Sequence, residues 1–311
     1  MTMPGNWVDL RRDAETGIET IRAHFQGHAY DAHWHDSYLL GVTEQGVQQF
    51  DCRGRRVHSR PGQVFMLEPG EIHNGDAPMD EGFTYAMLYL PTAWLEGALR
   101  QWRDASGLPD GDLCFARTLA DAPALGASIR KVFALLRQMP PRITRDIAVD
   151  ALLTQLTEHS HIGNSTRGFG RAGVSRNGAS VDPICADASF ARDEQSAVVF
   201  AARARDYLHA HLEIDVGLDA LAEECGTDRF TLTRAFKARY GVAPHAYLVQ
   251  LRLVSARARL AHGEPVADVA QAVGFADQSH LGRWFRRVYG VPPAQYGKAA
   301  QTFQTAPFGL G

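Results

Sequence analysis

GFADQSHLGRWFRRVYGVPPAQY, residues 274–296, decides the reading of this chain. Arg283, Arg286 and Arg287 crowd around Trp284 and Phe285 against a single acid, Asp277, in a protein of formal net charge −3. At helical spacing Leu281, Phe285 and Val288 fall at i, i+4 and i+7 and predict a buried face, with Ser279 and the three arginines opposite. Asp277 is the expected N-cap. Gly290 ends the helix, and Pro292 and Pro293 prevent its continuation. Upstream, Val266, Val269, Ala270 and Val273 recur at helical spacing until Gly274 stops that helix.

The same pattern occurs once more. LDALAEECGTDRFTLTRAFKARYGVAPHAYL (218–248) aligns with VADVAQAVGFADQSHLGRWFRRVYGVPPAQY (266–296) with one inserted residue. Ala222 matches Ala270, Gly226 matches Gly274, Leu232 matches Leu281, Arg234 matches Arg283 and Phe236 matches Phe285. Tyr240, Gly241 and Val242 match Tyr289, Gly290 and Val291; Pro244 matches Pro293 and Tyr247 matches Tyr296. This is an internal duplication of a helix–turn–helix unit.

A short Gly turn between two helices, the second with an apolar back and a cationic front, is the layout of a DNA-reading motif. Arginine suits the task because its planar fork meets guanine O6/N7 or a phosphate bidentately. An ordinary helical hairpin with a solvated charged face is the plainer alternative, and the duplication weighs against it. Charge distribution agrees: residues 196–300 carry 13 Lys and Arg against 10 Asp and Glu, the reverse of the balance over the whole chain. Between the copies, residues 246–263 predict one helix with Leu248, Leu251, Leu253, Val254 and Leu260 on its packed side. At about 1.5 Å per residue it spans about 27 Å, of the order needed to place two reading helices in successive major grooves.

Residues 196–300 closely resemble the paired helix-turn-helix domain of AraC/XylS-type transcription regulators, with the signature running from Ala270 to Tyr296. The resemblance implies base-edge approach by Phe230, Thr233 and Arg234 in the first reading helix and by Gln278, Ser279 and Arg283 in the second. Arg229, Lys237, His280, Arg286 and Arg287 complete the expected DNA-binding set. Gly282 departs from the pattern; it weakens the helix by about 1 kcal/mol relative to Ala or permits close backbone approach. The resemblance further implies promoter DNA, a small-molecule effector, RNA polymerase and a second copy of the chain as partners, with activation the expected mode.

Residues 20–92 differ in kind. YLLGVTEQG, VQQFDC, GQVFMLEPG and FTYAMLYL, punctuated by Gly46, Gly54, Gly62, Gly70 and Gly82, predict short antiparallel strands in a small barrel or double-sheet jelly roll. HAYDAHWHDSY and LEPGEIHNG look like the two histidine-bearing motifs of cupins. His33 and His35 share one strand face by the period of two, and His73 can join them. A metal, a polar effector or merely structural histidines all fit that pattern. Metal-binding cupins place a Glu shortly after the His pair, where this chain has Leu39 and Leu40; Glu44 lies further along. The expectation is an effector site of His33, His35, His73 and Tyr85 with no metal, no cofactor and no catalytic residue. Trp34, Tyr38 and Tyr89 are expected in the barrel core. A metal-dependent cupin enzyme or metal sensor joined to a DNA-binding domain is the alternative.

LEGALRQW, APALGASIRKVFALLRQM and TRDIAVDALLTQLTEHS predict amphipathic helices that pack on the barrel or pair two subunits. Residues 163–194, rich in Gly, Ser, Ala and Arg, read as a tether. The expected fold is α+β: a cupin-like barrel with helices over 1–162, a linker over 163–194, an all-α domain of two helix-turn-helix motifs over 195–300 and a tail over 301–311. Four cysteines without CxxC spacing, no apolar leader at the N-terminus and no run long enough to span a bilayer point to a cytoplasmic protein with no membrane partner.

Overall fold

A strand buried on both faces reads as a nearly continuous apolar run, and FTYAMLYL is one. A computed structural model, which describes residues 5–106, 112–138, 141–163 and 188–301, shows why. The N-terminal part contains β1 (Trp7–Arg12), β2 (Glu19–Phe25), β3 (His28–His33), β4 (Ser37–Gly46), β5 (Gln48–Cys52), β6 (Arg55–Ser59), β7 (Val64–Leu67), β8 (His73–Asp76) and β9 (Phe83–Pro91). After them come α1 (Thr92–Ser106), β10 (Asp112–Phe115), β11 (Leu119–Ala120), α2 (Pro123–Gln138), α3 (Arg142–Glu158) and β12 (Ser160–Gly163). One antiparallel sheet has the order β1-β2-β9-β4-β7-β11 and faces a second, β3-β8-β5-β6.

Alternation then assigns the side chains. Phe83, Tyr85, Met87 and Tyr89 of β9 join Leu39, Phe65 and Leu67 between the sheets. Leu88 and Leu90, with Tyr38, Leu40, Val42 and Met66, pack on the other face against Leu95 of α1, Ile129 of α2 and Leu152 of α3. Gly41 is dictated by contact, since a Cβ there would lie 2.0 Å from the Phe65 ring. Tyr38 therefore belongs to the helix-side core, where its hydroxyl donates to the Leu113 carbonyl at 3.1 Å. The three expected helices are present. The β10–β12 pair (Asp112↔Gly163 to Phe115↔Ser160) was not expected, because four-residue strands between helices carry too little periodicity to register.

The C-terminal part is helical: α4 (Ala188–Ala210), α5 (Leu218–Cys225), α6 (Arg229–Tyr240), α7 (Pro244–Ala261), α8 (Val266–Ala272), α9 (Gln278–Tyr289) and α10 (Pro293–Gln301). The α4 helix begins inside the segment read as a tether; the remainder of that segment, residues 164–187, lies outside the described residues, as do 302–311 of the expected tail. Two cores result, one per repeat. Leu221, Leu232, Phe236, Tyr240 and Tyr247 close the first. Val269, Leu281, Phe285, Val288 and Tyr296 close the second. The connecting helix α7 serves both. Leu248, Leu253 and Leu260 are buried as expected and Leu251 and Val254 are half-buried, but Arg252 and Arg257 are buried beside them.

Candidate ligand cavity and DNA-reading face

The HWH triplet is set by strand alternation. His33, the last residue of β3, and His35 turn into the space between the sheets, while Trp34 turns outward. His73 opens β8 directly opposite His33 in the ladder, so the three imidazoles meet. One donor atom of each lies within 4.8 Å of the others. His33 Nδ1 donates to the Asp31 carbonyl at 2.7 Å, and His73 Nδ1 donates to the Glu71 carbonyl at 2.9 Å. His33 Nε2 and His35 Nε2 stand 2.9 Å apart. Burial holds all three imidazoles below their ordinary pKa, His73 at about 4, and the neighbouring rings and Arg257 push His33 and His35 further in that direction. All three are neutral near pH 7.

Tyr85 and Tyr89 line the same cavity, as does Gln48, whose Nε2 donates to the Tyr30 hydroxyl at 2.8 Å. Leu39 supplies part of the apolar floor. Glu44 takes no part: it pairs with Arg22 at 2.8 Å. The remaining wall comes from the far end of the chain. Val288 and Tyr289, at the C-terminal end of α9, line the cavity alongside the histidines.

A buried ionic cluster fixes this join. Arg257 of α7 pairs with Glu19 of β2; the Tyr296 hydroxyl donates to the same carboxylate at 2.6 Å and accepts from Arg257 Nε at 3.2 Å. The guanidinium also lies over Tyr89, Tyr289 and Tyr296, at 4.7, 5.2 and 5.5 Å from the ring centroids. Burial opposes its charge, but Glu19 and the three tyrosines hold its pKa well above the ordinary value. Nearer the surface Arg287 Nε meets Asp31 Oδ2 at 2.7 Å. A Cβ at Gly290 would stand 3.0 Å from the Phe25 ring, so the αL residue ending α9 abuts the barrel. The first repeat touches the barrel through Trp34, which is not barrel core as expected: its ring packs tilted against Tyr247, centroids 4.8 Å apart, and is buried among the helices.

The reading helices present the expected cations. Arg229, Phe230, Arg234 and Lys237 are exposed on α6, Phe230 at 71 %, with Thr233 half-buried and its hydroxyl bound to the Arg229 carbonyl at 2.7 Å. On α9, Gln278, Ser279, Arg283 and Arg286 are exposed. His280 turns to the side, accepting from Trp284 Nε1 at 3.1 Å. Both helices start at the aspartates that the repeat aligns: Asp228 accepts from the backbone of Phe230 and Thr231, and Asp277 from that of His280. Gly282 faces open space: a Cβ there would have no atom within 4 Å, so close packing inside the protein does not require the glycine.

Sequence reasoning missed Glu19, Asp31, Arg257, Val288 and Tyr289 as members of this site. One signal was present in the repeat: Arg287 and Val288, which meet the barrel, align with Ala238 and Arg239 of the first copy.

Two families match the two parts of the chain. Residues 15–157 match the AraC-like ligand binding domain, and residues 221–299 match a helix-turn-helix domain. The HTH-type transcriptional regulator YbfI of Bacillus subtilis (strain 168) is 23 % identical over 274 residues, 88 % of each chain. The HTH-type transcriptional activator RhaS of Escherichia coli O139:H28 is 40 % identical over 88 residues, 28 % of this chain and 32 % of RhaS. Among solved structures, an apo form of a ToxT variant from Vibrio cholerae strain SCE256 shares the fold with a TM-score of 0.51 and 14 % identity, over 93 % of this chain and all of that one.

Proposed function

The chain belongs to the AraC-type family of DNA-binding transcription regulators, and on that premise we propose that its barrel controls the second helix-turn-helix unit through a shared wall. His33, His35, His73 and Tyr85 contact the effector, and the site binds rather than catalyses. The observation that carries this reading is that Val288 and Tyr289 of a DNA-reading helix line the same cavity as the histidines. A ligand shifts an equilibrium only by its differential affinity for two states. An occupant that alters the seating of Tyr289 has that differential effect on the orientation of α9.

The helix divides its labour along its length. Gln278, Ser279 and Arg283 near its start face outward, where recognition helices meet base edges. Tyr289 and Arg287 near its end face the barrel. While Arg287 pairs with Asp31 it is withheld from phosphate. Arg229, Phe230, Thr233, Arg234 and Lys237 bind DNA in the first unit, and Gln278, Ser279, His280, Arg283, Arg286 and, on release, Arg287 do so in the second.

A homodimer, activation through RNA polymerase and a cytoplasmic location complete the proposal. Ile143 and Ile147, one turn apart on α3 and 69 % and 58 % exposed, supply an apolar stripe for pairing two copies. No helix among the described residues is long and apolar enough to cross a membrane.

Asp31→Ala in the full chain tests the coupling. Release of Arg287 to a phosphate is expected to tighten promoter binding and to steepen the slope of log affinity against log salt by about 0.9. A folded variant with unchanged affinity and slope rejects the shared-wall control.

A further inference from the structure

The three imidazoles are bonded in a way that prepares them for more than a hydrogen-bonding ligand. A backbone carbonyl only accepts, so the protons of His33 and His73 sit on Nδ1, and each Nε2 carries a bare lone pair. His35 Nε2 stands 2.9 Å from that of His33, a separation at which two nitrogens must share a proton or a cation. Carbonyl partners on the outer ring nitrogen are the support that orients histidines bound to metals. Tetrahedral bonds of about 2.0–2.1 Å put donor nitrogens about 3.4 Å apart, within the spread of this cluster.

The free space agrees with a small occupant. The cavity is small, about 20 Å³, enough for about one water or ion and too little for a sugar-sized molecule without rearrangement. Gln48 Oε1 and the Tyr289 hydroxyl are buried in its wall and find no hydrogen-bond partner among the described residues.

We propose that His33, His35 and His73 hold one divalent transition-metal ion through Nε2, with its remaining position open to the cavity between Gln48 and Tyr289. Three neutral imidazoles without a carboxylate suit zinc and its first-row neighbours rather than calcium or magnesium. His35 meets one cost: its proton moves to Nδ1, and it gives up the 3.4 Å contact with Arg257 Nη1, which lies at the outer limit of hydrogen bonding. The ion is the floor of the effector site rather than a catalyst, and an effector reaching it binds through an oxygen or nitrogen donor. This rests on the reading of the cavity as the ligand site.

Chelator-treated full-length protein titrated with Co²⁺ provides the test. The expected result is one ion per chain, with the intense visible absorption of low-coordinate cobalt, quenched by one equivalent of Zn²⁺. Zn²⁺ at 100 times its dissociation constant is expected to raise stability by about 2.7 kcal/mol, the value of RT ln(101). His73→Ala and His33→Ala are expected to lower affinity at least about tenfold, while His58→Ala, at an exposed histidine, leaves it unchanged. Should the histidine variants fail to fold, the wild-type titration decides alone. Absence of the cobalt spectrum and of stabilisation by zinc overturns the proposal, as does binding that survives both variants in folded form. Metal-free protein in which Asp31→Ala still alters DNA binding overturns the ion and leaves the shared wall standing. Bound metal with no effect of Asp31→Ala gives the reverse.

Discussion

The two helix-turn-helix copies follow one grammar and part company at the C-terminal ends of their reading helices. Each has an aspartate N-cap, a buried Leu–Phe pair, an exposed arginine and an αL glycine. The first ends in Ala238 and Arg239, and the second in Arg287 and Val288, which meet Asp31 and the barrel cavity. Their aligned tyrosines show the same divergence. Tyr247 bonds His209 within its own domain at 3.1 Å, whereas the Tyr296 hydroxyl reaches Glu19 of the barrel. The two units share one pattern, and a few differences on one face bring the second against the barrel.

The first repeat is held differently, by burial of an aromatic. Trp34→Ala is expected to cost about 3–5 kcal/mol of unfolding free energy by leaving a cavity against Tyr247. Denaturant titration that returns less than about 1 kcal/mol would show that the first unit does not depend on the barrel.

Arg234→Ala and Arg283→Ala are each expected to weaken cognate binding by about 1–3 kcal/mol with little change on non-specific DNA. Equal losses mean that both copies read bases while the second is seated on the barrel. A full loss at Arg234 with none at Arg283 would confine base reading to the first copy.

Gly282 aligns with Thr233, and the space around it is open. Gly282→Ala should therefore stabilise α9 by up to about 1 kcal/mol. Stabilisation together with weaker DNA binding would identify the glycine as a place of close approach to DNA; unaltered binding would leave it as a plain defect in helix propensity.

The caps give the finest contrast. Asp228 accepts two backbone bonds and Asp277 one. Both Asp→Ala variants should lower the thermal midpoint, Asp228→Ala the more. The opposite order in a thermal melt would show that contact with the barrel, rather than the cap, sets the stability of α9.

What could be read in advance follows the range of the interaction concerned. The duplicated unit was legible down to its caps because helix periodicity, capping and αL glycines act over a few residues. The histidine cluster was legible as a set because a period of two places His33 and His35 on one face, and a turn-rich strand pattern brings His73 within range. Alternation shows that the Trp34 ring faces away from the histidines but not what lies on that side, so the expectation of a barrel-core aromatic misplaced it. The β10–β12 pair escaped because its strands are too short to carry a period.

By itself the sequence determined the architecture of this protein: a β-sandwich, helices against one sheet, and two copies of a helix-turn-helix unit with Arg234 and Arg283 outward. Only the tertiary structure decided how the parts meet. Arg257 finds Glu19 across 238 residues of chain, and no local pattern encodes a partner at that distance. A buried arginine on a helix looks in sequence like an exposed one. Its environment exists only once β2, β9, α7, α9 and α10 have packed, when desolvation makes the lone charge costly and the carboxylate and three tyrosine faces offset that cost.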